Sequence, residues 1–244
     1  MSELAARQLL PRPPTGRAFG AERTVRLGDA DPGGQLRLDA IARYLQDIAS
    51  DDALDAALPN ALGWVVRRTL IGIDHPATVG EQVRLTTFCT GAGRSWAERR
   101  TSLTGEHGAA IEAVSLWIQV DVATGRPARL GEKFFEIYGE SAGGRVISPK
   151  LGMITKPPGD ANRENWVFRR ADLDQLGHVN NAAHWAVVEE VLQRGGLTRR
   201  GVGEIEYVLP ADAEDLSELG IDGDMMWIVA HGRTLTVARW STAD

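Results

Sequence analysis

Residues 172–181 read DLDQLGHVNN, which sets Asp174 and His178 four positions apart and Asn180 two further on. These side-chain types suit attack on an electrophilic carbonyl. A carboxylate with an ordinary pKa near ~3.9 is ionised at neutral pH, so Asp174 can serve as nucleophile or as general base. His178 can orient that carboxylate, position a water or hand a proton to a departing group. The Asn180 amide can hold a carbonyl oxygen or the aspartate itself. An amphipathic run begins immediately afterwards, so the free N–H groups and positive dipole end of a helix stand beside the three residues and favour developing negative charge. Asn181 is read as the N-cap of that helix.

The phrase occurs earlier in a second spelling. Residues 28–34 read GDADPGG, and Asp29, Asp31 and Gly34 precede Asp172, Asp174 and Gly177 by a constant 143 positions. Gln35 stands where the later copy has His178. Two copies of one small fold are implied, each with a loop leading into a helix, and the histidine marks the second as the reacting one. Asp31 is either a turn former or a second, substrate-facing carboxylate.

The surrounding elements follow the same duplication. In the first half, 22–27 reads as a strand. LDAIARYLQDIASDDALDAAL then has the 3, 4 and 7 apolar spacing of a helix through Ile41, Leu45 and Ile48. GWVVRRTLIGI, EQVRLTTFC, SWAERRTSLT and AAIEAVSLWIQVDV read as four strands, the last two joined at GEHG, 105–108. A Gly- and Pro-rich stretch, 139–160, reads as a linker. The order then recurs: WVFRRADLDQLGH as strand and loop, a helix over 181–194 stopped by Gly195-Gly196, and strands at EIEYVLP, MMWIVAHG and TLTVARWS, with a further one near DLSELG. One long helix followed by an antiparallel sheet, made twice, is a tandem hotdog of the α+β class. Its expected parts are 18–140, a linker over 141–160, and 161–244.

Composition narrows the partners. A length of 244 residues accommodates two small domains with real cores. The net charge of −6 argues against nucleic acid as a partner. Four arginine pairs, Arg67-Arg68, Arg99-Arg100, Arg169-Arg170 and Arg199-Arg200, read as solvated surface pairs, and local clusters of this kind can also dock an acidic partner. The single cysteine, Cys89, rules out a disulfide within the chain and reads as a buried small hydrophobe. His75, His107, His184 and His231 stand isolated, so neither a metal nor another cofactor is expected. No run approaches the roughly 20 apolar residues of a membrane span, and the opening residues, 1–16, read as a short flexible tail without the apolar core of a secretory signal. A cytoplasmic location follows as an expectation.

The segment DLDQLGHVNNAAHW resembles the active-site motif of the acyl-acyl-carrier-protein thioesterases of plants and bacteria, D-L-D-x-N-x-H-V-N-N. Asp174, His178, Val179, Asn180 and Asn181 fall in register, and Leu176 stands in place of the motif's asparagine. The first half is similar as well: RLDAIARYLQDIASDDA to the family's first long helix, and LGWVVRRTLIGIDHPATVGEQVRLTTF to its next stretch, with Trp64, Arg68 and Pro76 matching. The resemblance spans most of 22–210. It implies a double hotdog packed as an intrachain pseudo-dimer and hydrolysis of fatty acyl-carrier-protein thioesters, within fatty acid biosynthesis. It also implies Asp174, His178 and Asn180 as the catalytic set, and an acyl-binding first half to which Trp64, with Asp31 and Asn181, contributes substrate contacts. Trp96 and Trp117 are core residues or further lining of that tunnel.

Two departures open alternatives. EYVLPA supplies Pro210 and Ala211 where plant members carry the polar EYRREC. The spelling DxxGHVNN is frequent among single-hotdog acyl-CoA thioesterases, and GDADPGG resembles the loop of 4-hydroxybenzoyl-CoA thioesterases. An acyl-CoA thioesterase is therefore the alternative, ahead of a hotdog hydratase or a non-catalytic acyl-CoA sensor. A homodimer of the whole chain stays open.

Overall fold

Alternating apolar residues make strands, and here they make a single sheet. In the computed structural model, which describes residues 9–58, 62–212 and 216–242, the first half supplies β1 (Ala18–Thr24), β2 (Leu62–His75), β3 (Gln82–Ala92), β4 (Trp96–Gly105) and β5 (Ala110–Asp121). The second supplies β6 (Asn162–Trp166), β7 (Gly201–Tyr207), β8 (Ser217–Asp222), β9 (Met225–Ala230) and β10 (Arg233–Thr242). The order across the sheet is β1-β3-β4-β5-β2-β7-β10-β9-β8-β6, with all neighbours antiparallel. From either edge inward, each half lays down its first, third, fourth, fifth and second strand. The two copies therefore meet at β2 and β7, where Arg68 pairs with Glu206 and Ile73 with Gly201.

The sheet wraps two long helices, α1 (Leu38–Asp55) and, in the second half, α3 (Asn181–Arg194), which pack against each other. Leu38, Ile41, Leu45 and Ile48 of α1 share one core with Trp185, Val188 and Leu192 of α3 and with Ile71, Leu85, Ile205 and Leu219 from the sheet. Ile48 is fully buried, and its truncation to alanine should cost about 2–5 kcal/mol. This is the tandem hotdog. α3 ends at the glycine pair, as the sequence implies.

Three details differ from the sequence reading. β1 begins at Ala18 and ends at Thr24, earlier than the expected 22–27, because the chain turns into a short 3-10 helix at Leu27–Asp29. A third helix, α2 (Glu132–Ala142), was not anticipated; Phe134 and Tyr138, one turn apart, pack it on β3 and form a second core cluster with Cys89, Ala92, Ala97 and Leu130. The opening tail is not free over its described part: Leu9 packs on Leu70 and Val202, and Leu10 O accepts from Arg100. Residues 1–8 lie outside the described residues.

The connecting stretch 143–161 carries no helix or strand, yet it is tied to the sheet. Trp96 Nε1 donates to Ile147 O (2.8 Å), Trp227 Nε1 to Ile154 O (2.8 Å), and Glu206 accepts the N–H groups of Gly152 (2.7 Å) and Met153 (3.0 Å). The reading of four solvated arginine pairs fails at three of them: Arg67 and Arg68 are partly buried on β2, Arg100 is largely covered and paired with Glu112, and Arg99 and Arg199 lie deeper. Arg199 is buried between Asp31 and Glu189, and Arg99 lies deep in the first half against Asp52. No helix among the described residues is long and apolar enough to cross a membrane.

Candidate active site

The two aspartate loops fold alike. Asp174 N–H donates to His178 O (2.8 Å) and Gly177 N–H to Asp174 O (3.1 Å); in the first copy Asp31 N–H donates to Gln35 O and Gly34 N–H to Asp31 O, both at 2.9 Å. This reversal needs left-handed backbone at Gly177 (φ +81°) and Gly34 (φ +78°), which glycine adopts without a Cβ penalty. Each carboxylate then folds back on its own loop. Asp174 Oδ1 accepts from Leu176 N–H (2.8 Å) and His178 N–H (3.3 Å), and Asp31 Oδ1 accepts from Gln35 N–H (2.8 Å).

What surrounds the two loops differs. Arg199, in the turn before β7, ion-pairs with Asp31 and Glu189 and donates to Gln35 Oε1 (3.0 Å). Burial alone would raise the Asp31 pKa, but the Arg199 hydrogen bond and the N–H groups of Gln35 and Gly33 hold it below the usual carboxylate value. Asp31, expected to face substrate, is thus occupied by a guanidinium, and it does not line the cavity described next. Asp174, His178 and Asn180 do line it: a cavity of about 1000 Å³ that runs from their loop into the first half.

The helix cap is Asn180, not Asn181. Asn180 Oδ1 accepts Ala182 N–H (2.8 Å) and, from α1, Gln46 Nε2 (3.1 Å). With that oxygen bound twice, the Nδ2 hydrogens are what Asn180 has left to donate. Asn181 is the first helical residue; it lines the cavity, and its carbonyl accepts Tyr207 Oη (3.0 Å). α1 has no side-chain cap of its own, and Glu189 of α3 accepts Leu38 N–H instead (2.7 Å). Gln46 and Glu189 are themselves 143 positions apart, so each helix reaches the other's first turn through the same position.

One turn past Asn180, His184 faces the same cavity. It is buried, with Nδ1 3.0 Å from Thr236 Oγ1 and its ring between those of Phe168 (5.0 Å) and Tyr207 (5.6 Å). Burial pushes its pKa down to about 3, so the imidazole is neutral at physiological pH. The sequence reading passed over it as isolated. Among the described residues no hydrogen bond joins the Asp174 and His178 side chains, which are linked through the backbone of their loop.

The cavity walls come from both halves. Gln46, Ala49, Ser50 and Ala53 present one stripe of α1, at the 3, 4 and 7 spacing of a helix face. Trp64, Trp117, Ile118, Val120 and Phe134 line the opposite wall, and Val208, Leu209, Pro210 and Ala211 complete it beside the loop. Cys89 is buried and also lines the cavity; Trp96 does not. Arg67 sits at an irregularity in the β2–β5 pairing and donates to Tyr207 O (2.6 Å) and Val208 O (2.8 Å), bracing the seam. Among the described residues no group of His, Cys, Asp or Glu is arranged to hold a metal ion.

Two family models match the chain: the acyl-ACP thioesterase N-terminal domain over residues 16–138 and the acyl-ACP thioesterase C-terminal domain over 155–214. The chain belongs to the acyl-ACP thioesterase family. It is a thioester hydrolase, and its substrate is an acyl group carried on acyl carrier protein. The thioesterase is 30% identical over 204 residues to an uncharacterized protein of Mycobacterium tuberculosis, covering 83% of this chain and 81% of that one. Its fold matches the 12:0-ACP thioesterase from Umbellularia californica with a TM-score of 0.74 at 18% identity, over 93% of this chain and 97% of that one. An acyl-ACP thioesterase from Bacteroides thetaiotaomicron gives a TM-score of 0.71 at 17% identity, over 91% and 96%. The thioesterase has the mirrored strand order of a duplicated hotdog and a cavity lined by residues of both copies.

Proposed function

We propose that the thioester is cleaved at the Asp174 loop while the acyl chain lies in the first half. The observation that carries this reading is the one cavity joining Asp174, His178 and Asn180 to Trp64, Trp117 and Phe134. The thioester carbonyl takes the Asn180 Nδ2 hydrogens and sits near the N-terminus of α3, where charge on a tetrahedral oxyanion is stabilised. Asp174, oriented by two loop N–H groups that donate to its Oδ1, acts as general base and removes a proton from water. The water oxygen bonds to the carbonyl carbon, the C–S bond breaks, and the proton passes by way of His178 to the departing phosphopantetheine thiolate. Trp64 and Asn181 contact the acyl group. Release of a free fatty acid in this way belongs with cytoplasmic fatty acid biosynthesis.

The test is thiol release from matched acyl-ACP and acyl-CoA panels, with the wild type, Asp174→Asn and His178→Ala. Acyl-ACP should turn over faster, and Asp174→Asn should lose about 10²–10⁴ in kcat. Turnover of acyl-CoA alone would overturn the carrier assignment. Full activity in Asp174→Asn would remove that residue from the chemistry.

A further inference from the structure

The cavity is apolar along Trp64, Trp117 and Phe134, but its first-half end carries charge. Glu98 and Arg99 of β4 and Tyr138 of α2 line it there. Arg99 lies deep within the protein and lines the cavity, with 14% of its side chain accessible. Its Nη1 engages Asp52 Oδ2 (2.6 Å) and Thr87 Oγ1 (3.3 Å), and its guanidinium stands 5.5 Å from the Tyr138 ring centre. Asp52, 1% exposed, also accepts from Tyr138 Oη (2.9 Å) and Arg17 Nε (2.7 Å). Glu98 is held by Thr90 Oγ1 (2.9 Å) and Arg145 Nη2 (2.8 Å), with Arg68 at 3.5 Å. The carboxylates are satisfied from behind, and the Arg99 guanidinium retains further N–H groups for whatever fills this end.

The position of this end follows from α1. Gln46 reaches Asn180, and Asp52, six residues on, reaches Arg99, which sets the charged end about 9 Å farther along the helix axis. A methyl terminus arriving there would strip water from a guanidinium and return no hydrogen bond. A carboxylate terminus would meet Glu98 in the same space. We infer that the Glu98–Arg99–Tyr138 end is a polar subsite that receives an acyl chain of medium length ending in a neutral oxygen function, a hydroxyl or a carbonyl. This rests on the reading that the cavity holds the acyl group.

Hydrolysis of acyl-ACP substrates matched in length and ending in methyl, hydroxyl or carboxyl tests it, alongside binding of the corresponding free acids to Asp174→Asn by calorimetry. At the best length the ω-hydroxyl chain should exceed the methyl-ended one by about tenfold in kcat/KM, as a hydrogen bond to a charged group implies, with the ω-carboxyl chain below both. Arg99→Met should erase that preference. If it misfolds, Asp52→Asn/Arg99→Met removes the pair together and should give the same loss of preference. Preference for the methyl end at every length, or an unchanged preference in the folded variant, would overturn the subsite. No hydrolysis of any substrate, with the binding preference intact, would overturn the Asp174 chemistry and leave the subsite standing.

Discussion

Lowering the pH from 7.5 to 5 should cost this protein about 2 kcal/mol of stability through His184 alone. The unfolded imidazole takes up a proton below its ordinary value of 6.5, whereas burial lets the folded one do so only near 3. Between those values the unfolded chain binds more protons than the folded one, so stability falls as the pH drops. Each pH unit inside the window is worth about 1.4 kcal/mol, and pH 5 lies one and a half units into it. Carboxylates held low in the fold, Asp31 and Asp172 among them, lose their contribution only below their ordinary value of 3.8, outside this range. Replacing His184 by phenylalanine keeps a ring between Phe168 and Tyr207 and leaves the Thr236 hydroxyl unpaired, which costs about 1–3 kcal/mol at every pH. The variant should therefore be less stable at pH 7.5 but lose less on acidification. Denaturant midpoints of both proteins at pH 7.5, 6.5, 5.5 and 5.0 measure the two slopes, and parallel slopes would refute the reasoning.

Asn180→Ala should lower stability by about 1 kcal/mol through loss of the cap, whereas Asn180→Asp keeps a capping oxygen and should melt close to the wild type; both should lose about 10²–10³ in kcat if the amide is a donor to the oxyanion. Gln46→Leu removes the bond from α1 to that cap and should cost about 1 kcal/mol, read by thermal denaturation, together with a reduced kcat. Arg199→Met leaves Asp31 and Glu189 buried without their cation and should cost about 3–5 kcal/mol. Asp31→Asn should lower Tm without changing kcat, because the carboxylate serves the fold; a large drop in kcat at unchanged Tm would restore it to the site.

The sequence made the duplication legible because strand alternation and helix spacing are local properties. It placed α3 correctly because a glycine pair stops it and asparagines start it. Which asparagine caps is a different kind of question. Both types suit the role, and Asn180 is chosen by its extended backbone and by Gln46, a contact 134 residues away. Arg199 reads as a surface residue until its partner 168 residues distant is known. α2 is hard to read from sequence because its packing partners lie largely on β3 and no side chain caps its N-terminus, although the left-handed Gly143 closes its other end. At the site, Asp174, His178 and Asn180 stand close together in one short loop, and all three line the cavity. His184 depends on Phe168, Tyr207 and Thr236, residues of a loop and two separate strands, and spacing alone does not bring them together.

The Arg199 ion pairs also give the duplication a direction. While two identical copies exist, either loop can drift, because the other still works. Once an arginine from the second copy fills the space beside Asp31, the first loop becomes part of the scaffold and contributes to stability. Restoring a reacting loop there would require a histidine at position 35, loss of Arg199 and a new partner for Glu189 together. The asymmetry between the two halves is therefore structural: the guanidinium that holds the first loop in shape also fills the space beside its carboxylate.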